Sequence, residues 1–164
     1  MPDMSNPSRA GAALVAAIAS GLGLAGCATG PSEEAMEANV VSAVSSVDHV
    51  TGAFASFSSS GGSGKDLLVN LYVDTTDEAV IVATADESLR AIWQSVGIRP
   101  YTVSIAVATI AMPDHPSRLE GNAINPAPIA EGLAIADART VRQLLLVEAG
   151  SMEERYGAWS EPAA

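Results

Sequence analysis

The sequence predicts one small α+β domain over residues 33–164, and three observations carry that reading. Residues 33–111 switch between helical and strand periodicity in the order helix, strand, strand, helix, strand. Hydrophobic residues make up 48% of the chain, but much of this is alanine and only 4% is aromatic, which suits a single modest core. No internal repeat is visible, and the only cysteine, Cys27, lies ahead of the domain, so no intrachain disulfide can staple it. The expected architecture is a mostly antiparallel sheet covered by helices, with a C-terminal extension of a strand and a short helix.

Each element has its own warrant. Ser32 stands where an N-cap belongs, and Glu33, Glu34 and Glu37 favour the positive end of a helix dipole. Met36, Val40, Ala43, Val44 and Val47 recur at helical spacing, so residues 33–47 should form an amphipathic helix. Residues 50–58 read as a strand in which Phe54 and Phe57 differ in parity, as at a bulge or a doubly covered end. Ser58 to Gly64 is serine and glycine, a hairpin loop. Leu67, Val69, Leu71 and Val73 alternate with Asp66, Leu68, Asn70 and Tyr72, a half-buried strand. Thr75 and Glu78 match a capping box. Val82, Ala85, Leu89, Ile92, Trp93 and Val96 then line one helix face, which Gly97 stops. Tyr101, Val103, Ile105 and Val107 form one face of a third strand.

The rest is less regular. Pro113, Pro116, Gly121 and Asn122 mark a loop from Met112 to Asn125. Asn125-Pro126 reads as an N-cap and first position of a short helix that Gly132 ends. Residues 140–148 fit a strand or a helix, and the continuous apolar run Leu144–Val147 favours a fourth strand. Ser151 and Glu154 form a second capping box, with Gly157 closing a terminal helical turn. Trp93 belongs to the core, whereas Tyr156 and Trp159 read as a latch rather than an exposed recognition patch.

Residues 1–26 have the form of a targeting leader. Arg9 is the one basic residue of the n-region, diluted by Asp3, and a start at Met4 instead of Met1 would remove that acid. Ala10–Ala25 carries no charge, but it falls short of the roughly 20 apolar residues a membrane span needs, and Gly21 and Gly23 weaken it as a helix. Leu24-Ala25-Gly26-Cys27 closes this run and resembles the lipobox of bacterial lipoproteins. The resemblance implies that the signal peptidase recognises Leu24, Ala25 and Gly26. It implies too that Cys27 gains a thioether-linked diacylglycerol and becomes the first residue of the mature chain. Two acyl chains anchor stably where one is marginal, so no spanning helix is needed. The expected organisation is therefore leader 1–26, lipidated tether 27–32 and domain 33–164, on the extracytoplasmic face of the cell membrane. The competing readings of Cys27 are a buried thiol ending an ordinary helix and a secreted, unlipidated product cleaved near Ala25. Seven arginines against one lysine, with the alanine bias, resemble proteins of high-G+C bacteria such as actinobacteria.

The element order of residues 33–111 is similar to the BON domain of envelope proteins, in which a glycine-valine turn follows the second helix. Gly97-Ile98 is the matching pair here, while Asp74 stands where that family usually has glycine after the second strand. The resemblance implies contact with membranes or envelope components.

The net charge of −11 falls wholly outside the leader, where Asp3 and Arg9 cancel. Such a surface disfavours nucleic acid and adsorption to anionic lipid heads. Solubility accounts for the acidity without a cation-binding role. The tether Ala28–Ser32 spans at most about 18 Å, so the domain should ride close above the membrane.

Chemical motifs fail on inspection. Gly21 to Gly26 spells the dinucleotide pattern inside the leader with no strand before it. Gly61 to Lys65 has the ending of a phosphate loop, but Ser59 replaces its first glycine and Asp66 its hydroxyl residue. Ser63 lacks the second glycine of a nucleophile elbow. His49 and His115 show no zinc spacing, and the adjacent acidic pairs read as solvated helix faces. No metal, cofactor or catalytic residue is expected.

Two functions remain. The favoured one is a noncatalytic, lipid-anchored domain that binds an envelope protein or wall component, with its contact surface in the loop 112–125 around Asp114, His115 and Arg118. The alternative is a small hydrolase or metal-dependent enzyme sited near His115. A deep pocket converging on His115 with two carboxylates would mark the enzyme, and solvated histidines the binder. A two-lobed solute-binding lipoprotein needs a longer chain.

Overall fold

The structure, a computed structural model, describes residues 31–60, 64–116 and 122–162. The elements are α1 (Glu33–Val44), β1 (Val50–Ser60), β2 (Gly64–Val73), α2 (Glu78–Ser95), β3 (Thr102–Ala108), α3 (Ala127–Leu133), β4 (Arg139–Val141), β5 (Leu144–Glu148) and α4 (Ala149–Tyr156). They build a five-stranded sheet in the order β1-β2-β3-β5-β4. β1 and β2 form an antiparallel hairpin, and α2 carries the chain back so that β3 pairs parallel to β2. β5 is antiparallel to both β3 and β4. The α+β class, the mostly antiparallel sheet and the strand and short-helix extension are all as expected.

The alternation in β2 sets which face meets the helices. Leu67, Val69 and Leu71 are fully buried, as are Val103 of β3 and Leu145 of β5, and they pack against Val40, Leu89 and Ile92. The opposite face is not simply wet. Tyr72, Ala106, Ala108 and Ala123 form a second, smaller cluster there. The chain after β3 folds back over this face, since the Ile124 amide donates to the Val107 carbonyl at 2.8 Å. Gln143 Nε2 donates to the Ala123 carbonyl at 2.8 Å. β2, expected to be half-buried, is therefore covered on both faces toward its carboxyl end.

Several boundaries differ from expectation. α1 ends at Val44 rather than residue 47, because the chain turns through Ser45 and Ser46 to a left-handed His49 at φ 68°. The bulge in β1 lies between Val50 and Gly52, not between the phenylalanines. Asp77, not Thr75, caps α2: its carboxylate accepts from the Ala79 and Val80 amides. Thr75 Oγ1 accepts from the Asp77 amide and so braces the cap. α2 stops at Ser95, with Val96 already extended, so Gly97 lies beyond the break. A Cβ at Gly97 would sit 3.0 Å from Met36 Cγ, so glycine serves close approach to α1 there.

Tyr101 precedes β3 and is 60% exposed, so it is not part of that strand's buried face. α3 runs through Gly132 and ends at a left-handed Ala134. The expected fourth strand is a tight hairpin, β4 and β5, turning through Arg142 at φ 55° and Gln143. Ser151 is not a cap, because α4 already begins at Ala149. The expected latch is present: Trp93 Nε1 donates to the Gly157 carbonyl at 2.9 Å, and Trp159 Nε1 to that of Val96.

Candidate functional site at the carboxyl ends of the parallel strands

Parallel neighbours end on the same side, and a crevice outside those ends is where open α/β sheets take ligands. Among the described residues β2 and β3 are the one parallel pair, and the crossover between them starts at Asp77. A cavity of about 270 Å³ opens at this point, lined by Ile81, Thr109, Ile124, Asn125, Pro128 and Ile129, with the exposed Thr76 and Glu78 at its mouth.

Local sequence explains its walls. The Asp77 cap fixes the direction of the first turn of α2 and so places Glu78 and Ile81. Asn125 Oδ1 accepts from the Ala127 amide and starts α3, with Pro128 in its first turn. α3 lies close against α2 because residue 132 is glycine: a Cβ there would stand 2.8 Å from both methyls of Val82. A wider, shallower hollow of about 650 Å³ continues from the cavity across Glu78, Ala79, Val82, Pro128, Glu131 and Gly132. Cavity and hollow share Glu78 and Pro128 and form one groove with an apolar floor.

Its electrostatics are one-signed. Glu78 and Glu131 line the groove, and among the described residues no lysine or arginine does. Four cations elsewhere pair with carboxylates: Lys65 with Glu33, Arg99 with Glu153, Arg139 with Glu148 and Arg155 with Asp86. The Arg99 guanidinium holds the Glu153 carboxyl below its usual range.

Of the residues expected to matter, Asp114 and His115 are exposed in the segment after β3. Arg118 and the lipobox residues Leu24, Ala25, Gly26 and Cys27 lie outside the described residues. His49 is 46% exposed, with Nδ1 2.9 Å from Asp74 Oδ1. Among the described residues no three His, Cys, Asp or Glu side chains group as metal ligands. Among its described residues, the loop expected to be a contact surface reaches the groove through its last two, Ile124 and Asn125. Sequence reading missed the groove itself. Its available signal was the pair of isoleucines, Ile124 and Ile129, flanking the start of α3 beside the capped start of α2. No protein-family model, curated protein or solved structure matches the chain.

Proposed function

We propose that this chain is a lipid-anchored protein of the extracytoplasmic face of a bacterial cell membrane, whose noncatalytic domain binds an envelope protein or wall component. The observation that carries the anchor is Leu24-Ala25-Gly26-Cys27 set only a short tether ahead of Glu33, where α1 begins. No helix of the described residues is long and apolar enough to cross a membrane. The binding half of the reading draws on the groove, an apolar concavity with few polar groups. It draws too on His115, which is exposed, while His49 is half-exposed, paired with Asp74 and set with Asp48 and Glu87 along an open hollow. The order α1, β1, β2, α2, β3 is the one on which the likeness to BON domains rests, in architecture alone.

Intact-mass measurement and palmitate labelling test the anchor. The wild type should gain diacylglycerol on Cys27 and lose residues 1–26, whereas Cys27→Ala should take up no label and leave the membrane fraction. An unmodified Cys27 sulfur in protein purified from the membrane refutes the anchor.

A further inference from the structure

We propose that the groove between α2 and α3 docks an extracytoplasmic protein segment bearing lysine or arginine on either side of one apolar anchor side chain, at the pole of the domain farthest from the membrane. The pole assignment rests on the lipid-anchor reading; the groove chemistry does not. Three features of the site select this occupant.

Position comes first. The tether enters beside the carboxyl end of α2, because Pro31 and Met36 stand within 3.3 Å of where a Cβ at Gly97 would sit. The groove belongs to the opposite end of that helix, from Glu78 to Val82, and an 18-residue helix is about 27 Å long. A partner reaching the groove comes from the aqueous side, not from the bilayer beneath.

Shape comes second. A volume of about 270 Å³ is below the roughly 300–1,000 Å³ that encloses a drug-sized ligand. It suits one large apolar side chain, the anchor of a protein contact. The shallow hollow beyond it can seat the adjoining turn of a helix laid along α2.

Charge comes third. Glu78 and Glu131 flank the apolar floor, and Asp48, Asp74 and Asp77 stand exposed at the same end of the sheet. Cationic flanks on the partner would be steered in and held in register, while an acidic segment would be repelled.

The test uses the purified full-length lipoprotein in neutral detergent. Two labelled synthetic peptides are titrated by fluorescence anisotropy, each with a central tryptophan, one flanked by lysines and the other by glutamates. The lysine peptide should bind about tenfold tighter or more at about 50 mM salt, and the gap should narrow as salt approaches about 0.5 M. The double variant Glu78→Lys/Glu131→Lys should reverse the preference. Ala79→Trp, which fills the floor, should weaken both peptides by about tenfold. Glu154→Lys, exposed on α4, should leave binding unchanged, and circular dichroism with thermal melts verifies that every variant is folded. Equal binding of the two peptides, or a double variant that binds like wild type, overturns the docking proposal. Cys27→Ala should bind normally. Groove-dependent binding by a protein whose Cys27 proves unlipidated would sink the anchor and leave the docking site standing.

Discussion

Asp86 ties the C-terminal segment to α2 through Arg155 and Tyr156. Its Oδ1 accepts from Arg155 Nε at 2.8 Å and from the Tyr156 hydroxyl at 2.7 Å, while Arg90 stands 3.9 Å from Oδ2. Both guanidiniums also lie over the Tyr156 ring, at 5.8 and 5.7 Å. Burial alone would raise the Asp86 carboxyl, but the bonds from Arg155 and Tyr156 outweigh it and hold it below the usual range. Burial, then the bond to Asp86, drives the Tyr156 phenol well above its ordinary value. A depressed carboxyl contributes stability that is present above the unfolded pKa of about 3.9 and lost as pH falls through the folded value. A raised phenol contributes stability that is present below about 10 and lost as pH climbs toward the folded value. Asp86→Asn should therefore cost about 1–2 kcal/mol at neutral pH, a charged hydrogen bond discounted for partial exposure, and the cost should shrink as pH falls through the depressed Asp86 value. Urea denaturation across a pH series measures both. Tyr72 offers the converse case. It is fully buried with a hydroxyl that no described residue meets, and burial raises its phenol. Tyr72→Phe removes that unmet group and should leave the thermal midpoint unchanged or higher, by up to about 1 kcal/mol.

At the scale of elements, one close constraint is the contact of α3 on α2. Gly132→Ala places a methyl where Val82 already stands, so α3 must lift or Val82 must change rotamer, at about 1–3 kcal/mol. The same shift should widen the groove, so this variant should both melt earlier and bind the lysine-flanked peptide more weakly. Two residues later the logic inverts. Ala134 ends α3 in the left-handed region at φ 49°, exposed, where its Cβ is a burden. Ala134→Gly should raise stability by about 1 kcal/mol in the same melts. These two positions also show which parts of the fold were legible. α1, β2, α2 and β3 were read from periodicity because long apolar faces impose it. The cap of α2 was misplaced because Thr75 and Asp77 both carry cap chemistry and only geometry decides between them. The β4–β5 hairpin was invisible because Arg142 turns the chain at φ 55° with no glycine or asparagine to announce it. The groove was unreadable for a related reason: it arises where α3 meets α2, a pairing between residues some fifty positions apart that leaves no periodic trace.

For the whole molecule, the proposed anchor turns on which force would hold it at a membrane surface. A domain with net charge −11 gains nothing from anionic lipid heads. The cations near the tether end do not alter this. Lys65 pairs with Glu33 and Arg99 with Glu153, so their fields are largely cancelled before they reach a headgroup. Among the described residues the main core closes within residues 40–152. Attachment through two acyl chains on Cys27 would be purely hydrophobic, at roughly 0.8 kcal/mol for each buried methylene. Electrostatic adsorption and lipid anchoring then diverge under one treatment. Screening at about 1 M salt shrinks the Debye length to about 3 Å, which releases proteins held by charge and tightens those held by hydrocarbon. Membranes washed in high salt should therefore keep the wild type fully, neutral detergent should release it, and Cys27→Ala should be soluble before any wash. The released Cys27→Ala protein should melt at the wild-type temperature, because its core has lost nothing. Release of wild type by salt alone would show that the charge pairs near the tether open at the bilayer and that the acidic domain adheres through its arginines.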